Sequence, residues 1–168
     1  MARSSGLLQL SIGVFCMSNY EFKGVSGKGM NALFEKLQKM KATVAVGYLE
    51  GATEPDGMSV AQNMFDQEFG VIEKRIPPRP VFRKMIQKNK NGWGVLLAAS
   101  MKKTGAADKG LMITGKAIAE QLSSEIARFD NPPNAPFTIK KKGFNNPLVD
   151  SGKAMISPDC EIFDGDSL

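Results

Sequence analysis

The chain has 168 residues, a net charge of +5, 42% apolar residues and no histidine. That length and apolar content fit one globular domain with a real core and exclude disorder of the whole chain. The missing histidine removes Ser-His-Asp and Cys-His catalysis, histidine metal ligation and the commonest general base, and no apolar run reaches the about 18 residues of a membrane span.

The charge is segregated. From Lys74 to Ala107 there are nine cations and no acid, so the rest of the chain nets −4. The last ten residues carry Asp159, Glu161, Asp164 and Asp166. A basic middle and an acidic end suit head-to-tail contact between identical subunits, or docking on an acidic surface or on phosphates. A solvated basic face is the plain alternative. Cys16 and Cys160 are too far apart and too few for a disulfide framework, and no metal-type spacing exists, so a reducing compartment is the default.

At the start, Arg3 followed by Leu7 to Cys16 mimics a weak signal peptide. Gln9 and Ser11 interrupt its apolar run and no A-x-A site follows. Residues 1–30 are therefore read as an arm that packs on a neighbour or as a non-native extension, the latter with Met17 as the natural start and the first sixteen residues upstream of it. Residues 31–168 form the single domain. Gly24 to Gly29 has a lysine between glycines but fails the phosphate-loop spacing, so it reads as a linker. Asn31 to Lys41 places Leu33, Phe34, Leu37 and Met40 on one helical face.

Thr43 to Leu49 is β-branched and aromatic and reads as a strand. Glu50 to Gly57 is a loop. Ser59 caps a helix running through Phe69, and Gly70 is expected to be the left-handed residue that stops it. Pro77, Pro78 and Pro80 force an extended segment, with Pro80 in the first turn of a helix that turns Phe82, Met85 and Ile86 inward. Asn91-Gly92 breaks that helix, and Trp93, Leu96, Leu97 and Met101 continue on a further turn or two. Asp108 caps the strongest helix, Lys109 to Phe129, whose stripe of Leu111, Gly115, Ile118, Leu122, Ile126 and Phe129 faces the core. Asn131-Pro132-Pro133 ends it. Phe137 to Ile139 is a short strand or an extended arm, Lys140 to Gly143 a loop, Leu148 to Met155 a short helix, and Glu161 to Phe163 a final strand. The expected fold is α+β: about four helices packed with a small antiparallel sheet, with long proline-rich loops or arms.

Catalytic chemistry is hard to place in these residues. A general acid/base pair needs two carboxylates facing one cleft, and no such pairing is visible. Glu68 is read as sitting at a helix end near Arg75 or Arg79 rather than as a base. Asp150 and Ser151 are read as turn or cap residues, because Lys153 has no Ser-x-x-Lys spacing to Ser151. The basic middle can neutralise phosphates, yet its aromatics fall at core spacing and no DNA- or RNA-binding motif is present.

Three phrases stand in a fixed order: the strand Val44-Ala45-Val46-Gly47; a helix ending in Glu68-Phe69-Gly70, followed by Ile76-Pro77-Pro78-Arg79-Pro80-Val81-Phe82-Arg83; and, after a long helix and the prolines 132, 133 and 136, Pro147-Leu148-Val149-Asp150-Ser151-Gly152. Over about Thr43 to Phe163 the chain resembles the tail-completion and neck (head-tail joining) proteins of tailed bacteriophages. It departs where Ser157-Pro158-Asp159 interrupts the usual final strand, and residues 1–30 match nothing in that family. The resemblance implies a structural virion protein, not an enzyme, without cofactor or metal. Such a protein is made in the host cytoplasm and placed in the neck or tail. It implies a ring, commonly of six subunits, joining connector to tail beside tail-tube or tail-terminator proteins, with no membrane partner. By motif it carries over Glu68, Phe69, Gly70, Pro77, Pro78, Arg79, Pro80, Phe82 and Arg83 as interface residues. The alternative is that the prolines only shape the chain between two helices. Lys84, Lys88, Lys90, Lys140, Lys141 and Lys142 are the candidates for meeting DNA in the channel or an acidic partner. A basic, non-specific DNA-binding accessory protein is the competing reading.

Overall fold

The computed structural model describes residues 42–48 and 51–164. The expected helix over Asn31 to Lys41, the linker at Gly24 to Gly29 and the amino-terminal arm lie outside the described residues. In order, the elements are β1 (Ala42–Tyr48), α1 (Val60–Phe69), α2 (Val81–Thr104), α3 (Ala107–Arg128), α4 (Pro136–Lys142), α5 (Lys153–Ile156) and β2 (Pro158–Asp164). This is a small α+β fold with a two-stranded antiparallel sheet.

The sheet pairs the first described element with the last. Val46 stands opposite Cys160 and Ala45 opposite Glu161. Side chains alternate across a strand, so Val44, Val46, Cys160 and Ile162 share one face while Thr43, Ala45, Asp159 and Glu161 share the other. Helix α3 lies on the first face at Gly115, where a Cβ would stand 2.7 Å from Val44 and 2.9 Å from Cys160. That close approach is why the α3 stripe carries a glycine in place of a larger residue. Ile118, Leu122, Ile126 and Phe129 continue the stripe into the core beside Val60, Met64, Val81 and Met85. Leu111, the outermost stripe residue, is half-buried.

Helices α2 and α3 form the longest contact in the fold. Trp93 Nε1 donates to Gln121 at 2.8 Å, and Lys88 pairs with Glu125 at 3.0 Å. This packing explains one difference from expectation: α2 does not break at Asn91-Gly92. A glycine in a helix costs about 1 kcal/mol, while the buried face of Val81, Phe82, Met85 and Met101 holds the helix on both sides of it. A Cβ on Gly92 or Gly94 would meet nothing, so these glycines lie on the open side.

Five further differences are local. Pro80 is the N-cap of α2 rather than its first helical residue. Helix α3 begins at Ala107 with Ala106 as N-cap, so Asp108 sits in the first turn and complements the helix dipole without capping. Phe137 to Ile139 is helical: Pro136 opens α4 and Gly143, in the left-handed region, closes it. Over Leu148 to Met155 only α5 is helical, because Asn146 holds the preceding residues in a turn, accepting from the backbone N–H groups of Leu148 and Val149 at 3.1 Å each. Ser157-Pro158 does not abolish the last strand; Pro158 is its first residue, where a missing donor is tolerated.

Candidate functional site

The segment between α1 and α2 is organised by Glu68. Its carboxylate is buried and reaches the amino terminus of α2, accepting from the backbone N–H of Phe82 at 3.0 Å and of Arg83 at 3.3 Å. Pro80 has no side chain able to cap, so an acid from the previous helix takes the N-cap role and meets the positive end of the helix dipole. The partner charge is Arg83, whose Nε donates to Glu68 at 2.9 Å, rather than Arg75 or Arg79. Arg83 also donates from Nη2 to the Glu68 carbonyl at 3.0 Å and lies 5.2 Å over the Phe69 ring. Two helix ends are thereby tied to each other.

Gly70 is required by the turn that follows, though not as a left-handed helical cap. Its φ of +77° comes with an extended ψ of 160°. A Cβ there would stand 2.9 Å from both the Ile76 carbonyl and the Pro78 nitrogen. Residues 71–76 form a tight hairpin, with Val71 and Ile76 exchanging two backbone hydrogen bonds and Ile72 exposed at its tip.

Arg79 is only 8% exposed. Its backbone N–H and its Nη1 both bond to Gln67, and its Nε has no acceptor. Among the described residues no carboxylate pairs with it. Burial without a counter-ion pushes its pKa down. The guanidinium stands in the wall of a cleft of about 550 Å³. The cleft is lined by Gln67, Arg75, Ile76 and Pro77 together with Asn134, Lys142, Pro147, Asp150, Ser151 and Glu54. The Pro77-to-Arg79 phrase and the Pro147-to-Ser151 phrase, about seventy positions apart, thus line one cleft.

The Pro147 side of the cleft is shaped by asparagines. Asn146 Nδ2 donates to the carbonyl of Ala127 at 2.7 Å and more weakly to that of Ile126, closing the end of α3, while its Oδ1 forms the turn at Leu148. Asn134 is buried and ties Asn145 and Asn146 together. Ser151 donates to Glu54 and accepts from the Lys153 N–H at 3.2 Å. It therefore serves the turn before α5.

The other singled-out residues are placed as follows. Glu68 and Phe82 are interior, Pro80 is half-buried, and Phe69, Pro77, Pro78 and Arg83 present surface. Lys84 is exposed beside the Phe129 ring, Lys88 is engaged with Glu125, and Lys90 is exposed. Lys140, Lys141 and Lys142 close α4, where cations suit the helix dipole; Lys142 reaches Asp150 at 3.7 Å. Among the described residues no three His, Cys, Asp or Glu side chains are grouped to hold a metal, and no helix is long and apolar enough to cross a membrane.

Sequence reasoning missed Gln67, Asn134 and Asn146. Asn145-Asn146-Pro147 carried a legible signal, since an asparagine before proline favours a turn; Gln67 carried none. The chain matches no family model, no curated protein and no solved structure.

Proposed function

We propose that this chain is a structural virion protein of a tailed bacteriophage, one subunit of a ring at the head-tail junction or the top of the tail. The ring, of about six copies by the resemblance, joins the connector to the tail. The observation that carries the reading is the convergence of its two sequence phrases. The proline-arginine segment after Gly70 and the Pro147-to-Ser151 turn line one cleft. Rigid prolines beside an arginine offer a preorganised contact surface at low ordering cost. The segregated charge suits head-to-tail closure.

Peptide mass spectrometry of purified particles, quantified against a tail protein of known copy number, tests this. A small ring-like copy number is the expected result. Absence from mature particles sinks it.

One observation favours a second reading, a basic DNA-binding accessory protein. Helix α2 carries six cations and no acid, and Lys84, Lys90, Lys102 and Lys103 are exposed along it. That reading requires DNA binding by the isolated protein with steep salt dependence. No binding at low salt disposes of it.

A further inference from the structure

A buried arginine without an anionic partner is an unfinished interaction. Charged side chains are almost never fully buried unless paired, because the desolvation of an unpaired charge is large. Arg79 is in this condition: it is buried, its Nε has no acceptor, and no carboxylate of the described residues pairs with it. Gln67 accepts from Nη1, and among the described residues nothing accepts from Nε, which is itself closed off from solvent, so one of the two forks that an arginine offers to a carboxylate is unfilled. The cleft beside it, about 550 Å³, has room for an incoming side chain with part of its backbone.

The same chain displays acids on a different surface. On β2, Asp159 and Glu161 are exposed and share the face of the sheet turned away from α3. Glu161 stands opposite Ala45, a small neighbour over which a longer side chain projects.

We infer that the cleft receives an acidic side chain from a second copy of this chain, with Glu161 of the neighbour's β2 supplying the charge that the buried Arg79 lacks. The inference rests on the ring reading and supplies its contact. One surface of each subunit gives the acid and a different surface takes it. The interface is therefore heterologous, the kind that closes into rings. Removing one partner of such a desolvated pair weakens association about thirtyfold or more.

The test is sedimentation velocity of the full chain over a wide concentration range, comparing wild type, Arg79→Glu, Glu161→Lys and an equimolar mixture of the two variants. Wild type self-associates, and each variant alone stays monomeric with an unchanged circular dichroism spectrum. The mixture associates again. The Arg79→Glu copy offers its Glu161 to the intact cleft of the Glu161→Lys copy, and the two reversed charges pair with each other at the alternate contacts. If Arg79→Glu does not fold, Glu161→Lys added to wild type decides: it caps growing assemblies and lowers their mean size. Three results overturn the inference: a wild type that stays monomeric, a Glu161→Lys variant that associates like wild type, or a mixture that stays monomeric. None of these touches the particle copy number, so the ring reading stands or falls separately.

Discussion

Replacing Glu68 with alanine removes the acceptor for two backbone N–H groups at the start of α2 and leaves a void where a buried carboxylate had been. Loss of an N-cap costs about 0.5–2 kcal/mol. Orphaning a buried donor adds about 1–3 kcal/mol, partly the same energy counted from the other side. The one methylene lost adds about 0.8 kcal/mol. Together the expected loss is about 3–5 kcal/mol, a large share of the roughly 5–15 kcal/mol that holds a domain folded. The midpoint should fall by roughly 6–20 °C for a chain of this size.

Two companion variants separate capping from charge. Arg83 has a side chain 59% exposed, so its ion pair is solvent-screened and worth about 0–1 kcal/mol. Its stacking on Phe69 adds about 0.5–1 kcal/mol. Arg83→Ala is therefore expected to cost about 1–2 kcal/mol. Glu68→Gln keeps the size and one acceptor oxygen and should cost a similar amount. Urea titration followed by the fluorescence of Trp93, the single tryptophan, reads all three. The reasoning fails if Arg83→Ala is as damaging as Glu68→Ala, because the ion pair and not the helix end would then be the determinant.

Gly92→Ala and Gly94→Ala, where a Cβ meets nothing, should each stabilise by about 1 kcal/mol and raise the melting midpoint by about 2–4 °C. Gly115→Ala should destabilise by about 1–3 kcal/mol, because its methyl group meets Val44 and Cys160 inside normal contact; thermal melts check both changes. Tyr48 is half-buried, donates to the Ala154 carbonyl and lies near Glu54; desolvation first and that charge second raise its pKa. Its raised folded pKa means that its stabilisation is intact below the unfolded tyrosine value of about 10 and is lost as pH rises above it, at about 1.4 kcal/mol per pH unit. Tyr48→Phe should cost about 1 kcal/mol at neutral pH and remove that alkaline slope in urea titrations at pH 9 to 11. The Cys160 thiol is buried against Met112, and burial, aided by Asp159, pushes its pKa up. Iodoacetamide at pH 8 should leave it unmodified in the native protein and label it after unfolding, as read by peptide mapping.

The elements that could be read from the chain are those whose residues decide their own conformation. The α3 stripe, the β-branched run of β1 and the helix ending at Phe69 each bury a face fixed by local periodicity. What could not be read depends on partners far away in sequence. The glycine at 92 looks like a break until α3 is seen packing along α2. The Phe137 segment looks extended until its flanking proline and glycine are weighed as helix ends. Glu68 was legible as an acid at a helix end, but which helix it caps and which arginine it meets depend on the path of the intervening loop.

The same dependence bears on the cleft. The residues on which the family resemblance rests divide physically into two groups. Glu68, Gly70 and Phe82 are inward or sterically confined, and they set the course of the chain between α1 and α2. Pro77 and Arg79 lie along that course and are presented to the cleft. The buried acid anchors the helix start, the helix start positions the prolines, and the prolines hold Arg79 where its side chain bonds to Gln67. Glu68→Gln should therefore disturb association more than its effect on stability predicts, because a loosened α2 start also displaces Arg79. Comparing self-association with unfolding free energy for Glu68→Gln and Gly115→Ala separates the two effects: equal losses of association at equal loss of stability would show that Glu68 acts through the fold alone.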